Sequence, residues 1–429
     1  MVLTNINFIT FIGCLVLTIT AFPSNKKKLN WQGSDVLNEV PLIDGHNDLP
    51  YNLYNIENNM LNNFELDSDL KSNPKWNVSS SFTDLPRLRQ GKLGGQFWVA
   101  YVSCNRNYKD AVERTIEQID VIKRLIDKYP KDLMYVTEAD QIMEAHRQGK
   151  IASMIEIEGG HSLDSRLSSL RIFYELGVRC MTITHNCNIP WADNNQVDNN
   201  VSTPKRNLTE WGKNVILEMN RLGMIADISH VSEGVMVDVL ATSKAPVIFS
   251  HSSVYNIKPH SRNVKDHVLQ KLKQNNGVIM INFYSAYIAN DTATIYDVIN
   301  HINYVKNFIG VDYVGIGSDY DGVTRMPIGL EDVSKYPKIF DLLAEEGHDW
   351  EPWTEEELKK LAGLNLIRVF KQVEAIRDSL IDEEIIDQPI PYEDVFTANP
   401  NVTQCWTDLD KYKPVVNRFI EEFLPAEIA

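Results

Sequence analysis

Leu42-Ile43-Asp44-Gly45-His46-Asn47-Asp48 is a short apolar run that closes on a histidine and a carboxylate. Four more strand-like runs close the same way, at 151–158 (on Glu158), 224–230 (on His230), 247–251 (on His251) and 314–319 (on Asp319). Each run alone is weak evidence. Their repetition decides the fold, because buried strands ending in His, Asp and Glu are what a metal site at the mouth of a parallel barrel needs.

Outward from these runs, a helix-then-glycine-then-strand pattern recurs. Val112, Ile116, Ile119, Ile122 and Ile126 have helical spacing and stop before Pro130. Later helices are expected to end near Gly149, Gly177, Gly223, Gly277 and Gly310, since glycine accepts the left-handed conformation that closes a helix. Eight strands are expected, at 41–48, 97–102, 151–158, 180–185, 224–230, 247–251, 278–283 and 313–319. Most are continuously apolar rather than alternating, as strands covered on both faces are. The expected fold is α/β, a (β/α)8 TIM-type barrel with its active site at the carboxyl ends of the strands. Two long connections, 52–93 and 186–205, should hang over that mouth and shape a pocket.

The chain has 429 residues, 43% of them hydrophobic, enough for one large core. Its net charge of −16 and lack of a long basic run argue against nucleic acid as a partner. Residues 6–21 are uncharged and mostly apolar, which reads as a signal peptide with cleavage near Ala21. Asn-x-Ser/Thr sequons start at Asn77, Asn200, Asn207, Asn290 and Asn401, favouring a glycosylated secretory product. The C-terminal residues 415–429 carry Arg418, Glu421, Glu422 and Glu427, and no lipid-anchor signal is evident. The expected organisation is a signal peptide over 1–21, an N-terminal segment over 22–39, the catalytic barrel over 40–395 and a tail over 396–429. Secretion is the expected destination.

Outside the signal, the cysteines are Cys104, Cys180, Cys187 and Cys405. Cys180 lies inside an apolar strand and should pack as a small hydrophobe. Cys104 and Cys187 each follow a strand-like run and are the best disulfide candidates, though spacing alone leaves the connectivity open.

His46 and Asp48 are alternate residues of one strand, so both can face one ion. Glu156 and Glu158 repeat that geometry, and Glu158 is better placed because Gly159-Gly160 turns the chain out of the barrel. With His230 and His251 the donor count suits two ions, and imidazole plus carboxylate suits zinc. His46, Asp48 and Glu158 can hold one ion, and Glu158, His230 and His251 the other, with Glu158 as the bridge. No lysine ends the fourth strand, so a carbamylated-lysine bridge has no candidate there. His161 reads as a supporting residue rather than a ligand. His146, His260, His267, His301 and His348 fit no strand end and are expected on the surface.

The chain resembles the membrane dipeptidase (renal dipeptidase) family of zinc peptidases over about residues 40–395. The residues that carry the likeness are Ile43-Asp44-Gly45-His46-Asn47-Asp48-Leu49-Pro50, Gly94-Gly95-Gln96-Phe97-Trp98 and Glu158-Gly159-Gly160-His161-Ser162. They continue with Thr184-His185-Asn186-Cys187-Asn188, Pro190-Trp191-Ala192-Asp193-Asn194, the segment 246–253 and Gly317-Ser318-Asp319-Tyr320-Asp321-Gly322. The resemblance implies that His46, Asp48, Glu158, His230 and His251 are zinc ligands. It implies substrate binding by His185, Arg262 and Asp319, with Asp319 and His185 catalytic, and a Cys104–Cys187 disulfide. It also implies a homodimer and the hydrolysis of dipeptides to free amino acids by a hydroxide bridging two zinc ions. The chain departs from the mammalian pattern at Lys258 and Ala289, where a second disulfide would sit, and in the spacing around Cys405. Two other readings remain open on these residues: a different binuclear amidohydrolase (a deacylase or lactonase), or a secreted binding protein without turnover.

Overall fold

The computed structural model describes residues 31–199, 202, 204–289 and 292–398. The expected signal peptide, Cys405, the tail beyond residue 398 and the sequons at Asn200, Asn290 and Asn401 lie outside the described residues. Nine strands form the sheet: β1 (Leu42–Asn47), β2 (Leu93–Tyr101), β3 (Leu133–Tyr135), β4 (Ile151–Glu158), β5 (Val178–Thr182), β6 (Ile225–Asp227), β7 (Ile248–Ser252), β8 (Val278–Ile281) and β9 (Val314–Ile316).

Every pairing is parallel, and the order β2-β1-β9-β8-β7-β6-β5-β4 closes through β2–β4 into an eight-stranded barrel. The ninth strand, β3, is a correction to the expected set. It pairs with Ile151 to Ser153 at the start of β4, on the edge that β5 takes over from Ile155 onward. Three residues, Leu133-Met134-Tyr135, are too few to show a strand period, which is why the sequence pattern does not reveal it.

Helices Ala111–Lys128, Ala139–Arg147, Leu167–Glu175, Glu210–Leu222, Glu233–Thr242, Asp266–Asn275 and Ile295–Phe308 lie between strands. The strands are buried along nearly their whole length, which explains their apolar runs. Gly149, Gly177, Gly223 and Gly310 have positive φ, as expected of residues that turn out of helices. At the helix Asp266–Asn275 the left-handed residue is Asn276 (φ 66) rather than Gly277. Asparagine tolerates that region better than most side chains, so the glycine after it is not the cap.

Gly45 and Gly317 serve the barrel interior. A Cβ at Gly45 would lie 2.5 Å from the Ser250 carbonyl oxygen, and one at Gly317 would lie 1.8 Å from the same atom. The first and last strands therefore approach β7 closely just beneath the mouth. Another expectation is corrected in the helix Ile295–Phe308. His301 is fully buried: its Nδ1 accepts from Val254 N at 3.0 Å and its Nε2 donates to the Ile288 carbonyl at 3.1 Å. Two backbone partners satisfy it, so burial costs little.

Candidate active site

The polar strand ends converge on a cavity of about 280 Å³ lined by Asp48, Glu158, His185, His230, Arg262 and Asp319, together with Tyr51, Tyr101, Asn186 and Tyr287. His46 and His251 lie buried against Glu158, with ring centroids 3.7 Å apart. Glu158 is the hub. Its Oε1 lies 3.1 Å from His230 Nε2, 3.4 Å from His251 Nε2, 3.6 Å from His46 Nε2 and 3.9 Å from His185 Nε2. His46 Nε2 is also 3.3 Å from Asp48 Oδ2.

Several of these residues have left the strand ladder. Strands β6 and β9 end at Asp227 and Ile316, while His230 (φ 63) and Asp319 (φ 68) each sit three residues beyond in the left-handed region. A non-glycine residue held there is strained, and such strain is sustained only where surrounding contacts over-determine it. The expected strands 224–230 and 313–319 are therefore shorter, because their last residues turn inward to present side chains to the cavity.

Three imidazoles turn the far nitrogen to an oxygen, two of them in a hydrogen bond. His251 Nδ1 donates to Ser250 Oγ at 2.8 Å, and Ser250 Oγ donates onward to Asp227 Oδ2 at 2.7 Å. His230 Nδ1 donates to Asn186 Oδ1 at 3.2 Å. His46 Nδ1 faces Glu156 Oε2 at 3.4 Å, a separation suited to an ion pair more than to an aligned hydrogen bond. With the proton on Nδ1, the His230 and His251 rings each point a bare Nε2 lone pair at Glu158. His230 Nε2 and His251 Nε2 are only 2.9 Å apart. Lone pairs and a carboxylate oxygen gathered so closely are a donor set for a cation. The residues present thus fit divalent metal.

Among the described residues the donor atoms form three interleaved triplets: His46–Glu158–His251, Glu158–His185–His230 and His46–Asp48–Asp319. Glu158 and His46 each belong to two of the triplets.

The electrostatics agree. Burial, together with the neighbouring Asp48 and Asp319, pushes the Glu158 carboxyl well up. Burial likewise raises Asp319 to about 7, against the pull of His46. Burial works against charge on His46, yet Glu158 and Asp48 hold it well above its ordinary value. Burial, with Arg262 adding to it, lowers His230 and His251 well below theirs. Buried carboxylates that repel one another are relieved by a cation among them.

His185 differs from the other three. Its Nδ1 faces only the sulfur of Cys104, at 3.9 Å. Sulfur in a disulfide is a poor acceptor, so nothing holds the proton on Nδ1, and the Nε2–H tautomer can aim a donor into the cavity. Cys104 is bonded to Cys187, as the sequence reading expects, and Cys180 is buried with a free thiol.

Arg262 is buried rather than on the surface. Its guanidinium donates to the His251 carbonyl at 3.1 Å and Ser252 Oγ at 3.3 Å, and lies over the Tyr287 ring at 5.5 Å. Asp319 Oδ2 accepts from Asn282 Nδ2 at 2.9 Å. Asp321, its near neighbour in sequence, turns elsewhere and accepts from Asn52 at 3.0 Å and from Thr83. It ties the connection 52–93 to the end of β9.

Asp44, Asp227, Ser250, Asn186 and Asn282 were not singled out from sequence. Asp44 accepts from Ser318 N at 2.8 Å, Ser318 Oγ and Tyr336 OH. A signal for Asp44 and Asp227 was present, since both are carboxylates inside apolar strands, where an unpaired charge is not tolerated.

A sequence model of the membrane dipeptidase family, peptidase family M19, matches residues 31–384. Three solved structures are similar in fold. The probable dipeptidase PvdM from Pseudomonas aeruginosa has a TM-score of 0.69 at 18% identity, covering 80% of this chain and 98% of that one. A metallopeptidase from Rhodobacter sphaeroides, liganded with a phosphinate mimic of the dipeptide L-Ala-D-Ala, has a TM-score of 0.67 at 22% identity, covering 78% and 99%. An amidohydrolase from Pseudomonas aeruginosa has a TM-score of 0.65 at 20% identity, covering 80% and 99%.

Proposed function

Given that the chain belongs to the membrane dipeptidase family and is a metallodipeptidase, we propose that it cleaves free dipeptides into amino acids with two zinc ions held by His46, Asp48, Glu158, His230 and His251. One observation carries this reading: three imidazoles, each with Nδ1 turned to an oxygen, converge through Nε2 on Glu158 Oε1. When bound, the zinc supplies Lewis acidity, polarising the scissile carbonyl and making water a better nucleophile near neutral pH.

The remaining chemistry falls to the chain. Arg262 binds the terminal carboxylate of the dipeptide, and its burial among the His251 carbonyl and Ser252 fixes the direction of its fork. His185, with Nε2–H turned into the cavity, donates to the carbonyl oxygen as negative charge develops there. Asp319 takes a proton from the attacking water and passes it to the leaving nitrogen. Asn282 pins one of its oxygens and leaves the other for that task. A lactonase would not need a carboxylate clamp so near the metal-binding groups, whereas a deacylase of N-acyl amino acids would, and the substrate panel separates it.

The secretory route is part of the same proposal, supported by the Cys104–Cys187 disulfide and by a sequon at exposed Asn77.

The test is hydrolysis of a panel of free dipeptides, dipeptide amides, N-acyl amino acids and lactones by purified protein, with metal content measured alongside. Free dipeptides should be cleaved, a chelator should abolish the activity and zinc should restore it. Equal cleavage of dipeptides and their amides would remove the carboxylate clamp. Turnover of only N-acyl amino acids or lactones would overturn the dipeptidase reading.

A further inference from the structure

Behind the catalytic cavity, the Cys104–Cys187 disulfide lies against a histidine that the mechanism does not use. His161 is 2% exposed. Its Nε2 donates to the Val102 carbonyl at 2.7 Å, which fixes the ring proton on Nε2 and leaves Nδ1 as a lone pair. That Nδ1 is buried without a hydrogen-bond partner among the described residues. A buried acceptor with no donor is costly and calls for an explanation. Burial also drives the ring well towards its neutral form, down to about 4. The backbone makes room for it: Gly159 has φ +104, and a Cβ there would lie 2.5 Å from Nδ1.

The lone pair lies close to sulfur. His161 Nδ1 and the sulfurs of Cys104 and Cys187 all lie within 4.8 Å of one another. The geometry points to a masked cation site, in which reduced Cys104 and Cys187 and His161 Nδ1 hold one thiophilic divalent cation of the zinc class. Two thiolates and an imidazole are a known protein donor set for zinc. In the disulfide the sulfurs carry no thiolate charge and hold nothing.

The switch balances simply. A dithiol reductant gives two electrons and two protons to the Cys104–Cys187 bond, which breaks to two thiols while the reductant closes its own disulfide. The cation then displaces the two thiol protons to solvent, because thiolate is the ligand form. The metal-binding outcome is independent of the dipeptidase reading, since none of the groups around Glu158 takes part.

Cadmium is the probe, because cadmium thiolates absorb in the ultraviolet. Zinc-loaded protein is reduced with a dithiol, freed of reductant anaerobically and titrated with cadmium. The expected result is a thiolate-to-cadmium band saturating at one equivalent per chain, with both thiols protected from alkylation. The oxidised protein should show no band, which supplies the control should a Cys104→Ser/Cys187→Ser variant fail to fold. Reduced His161→Asn should bind cadmium at least tenfold more weakly. Absence of the band in reduced protein, with thiols alkylating equally fast with and without cadmium, overturns the proposal. Unchanged affinity in His161→Asn also overturns it, since the thiols would then act without the histidine.

Discussion

The two halves of the barrel mouth are built on opposite electrostatic plans. The β1–β4 side carries Asp48, Glu156 and Glu158 around a single imidazole, and these carboxylates hold His46 well above its ordinary pKa. The β5–β7 side carries His185, His230 and His251, which burial and Arg262 keep neutral. Glu158 joins the halves, reaching imidazoles of both through one oxygen. The carboxylate side supplies charge to hold a cation. The imidazole side supplies neutral donors and, at the Arg262 end, a place for an anionic substrate group. A site that must bind both a dication and a carboxylate gains from keeping these duties apart.

The largest effect should follow from breaking the junction of the two halves. His230→Ala removes the lone pair closest to Glu158, at 3.1 Å. Metal content and activity should fall together, by more than the roughly 10–100-fold typical of losing an outer partner. Metal analysis and kcat/KM on the same sample are the check; full activity with normal zinc would refute the assignment.

Next in size is His185→Ala. This ring belongs to the imidazole side but differs from its neighbours in what its Nδ1 faces. Loss of one oxyanion donor typically costs roughly 10²–10³-fold in kcat. Metal content should stay at the parent level. A variant that loses zinc in proportion to activity would make His185 a ligand and erase the distinction between it and His230.

Arg262→Ala should lower kcat/KM for free dipeptides by roughly 10–150-fold, the worth of one charge-assisted pair. Zinc should remain, and dipeptide amides should be affected little. Smaller still is Ser250→Ala, which removes the hydroxyl between His251 Nδ1 and Asp227. Metal affinity should weaken by about 10–100-fold, with kcat recovered at saturating zinc. Unaltered zinc affinity would mean that the relay does not orient His251.

These outer partners mark where sequence reading stops. His46, Asp48, Glu158, His230, His251 and Asp319 were legible because each closes an apolar run, and one barrel brings strand ends to one place. Their tautomers were not legible. Ser250 lies inside an apolar run and Asn186 opens a long connection, and no local pattern marks either as the partner that the fold sets beside an imidazole Nδ1. Asp44 was quoted within its motif, yet its partners Ser318 and Tyr336 lie 274 and 292 residues away. His301 was misplaced for a related reason. A single buried histidine satisfied by two backbone groups leaves no periodic trace in sequence. Strand β3 left none because it is too short.

The finest distinction is between the oxygen that faces Nδ1 in three of the histidines and the sulfur that faces it in His185. The Cys104–Cys187 bond closes a separation of 83 residues. On the chain-entropy model its loss costs about 4–5 kcal/mol, an upper figure because denatured-state structure reduces it. Any variant lacking the bond should therefore melt earlier, and stability alone cannot separate support from chemistry. Two variants can. Cys104→Ala/Cys187→Ala and Cys104→Ser/Cys187→Ala lose the same bond. Only the second offers a hydroxyl to His185 Nδ1, which either accepts the ring proton or donates to the ring lone pair. Accepting draws the proton to Nδ1, as oxygens do for His230 and His251, turns a lone pair on Nε2 towards the substrate carbonyl and lowers kcat; donating holds the proton on Nε2 and raises it. A hydrogen bond of about 1 kcal/mol shifts that balance roughly fivefold. The serine variant should thus differ in kcat from the alanine variant, at equal zinc content and similar melting temperature. Equal kcat in the two would mean that the disulfide acts on His185 through loop rigidity alone, and that sulfur has no part in setting its tautomer.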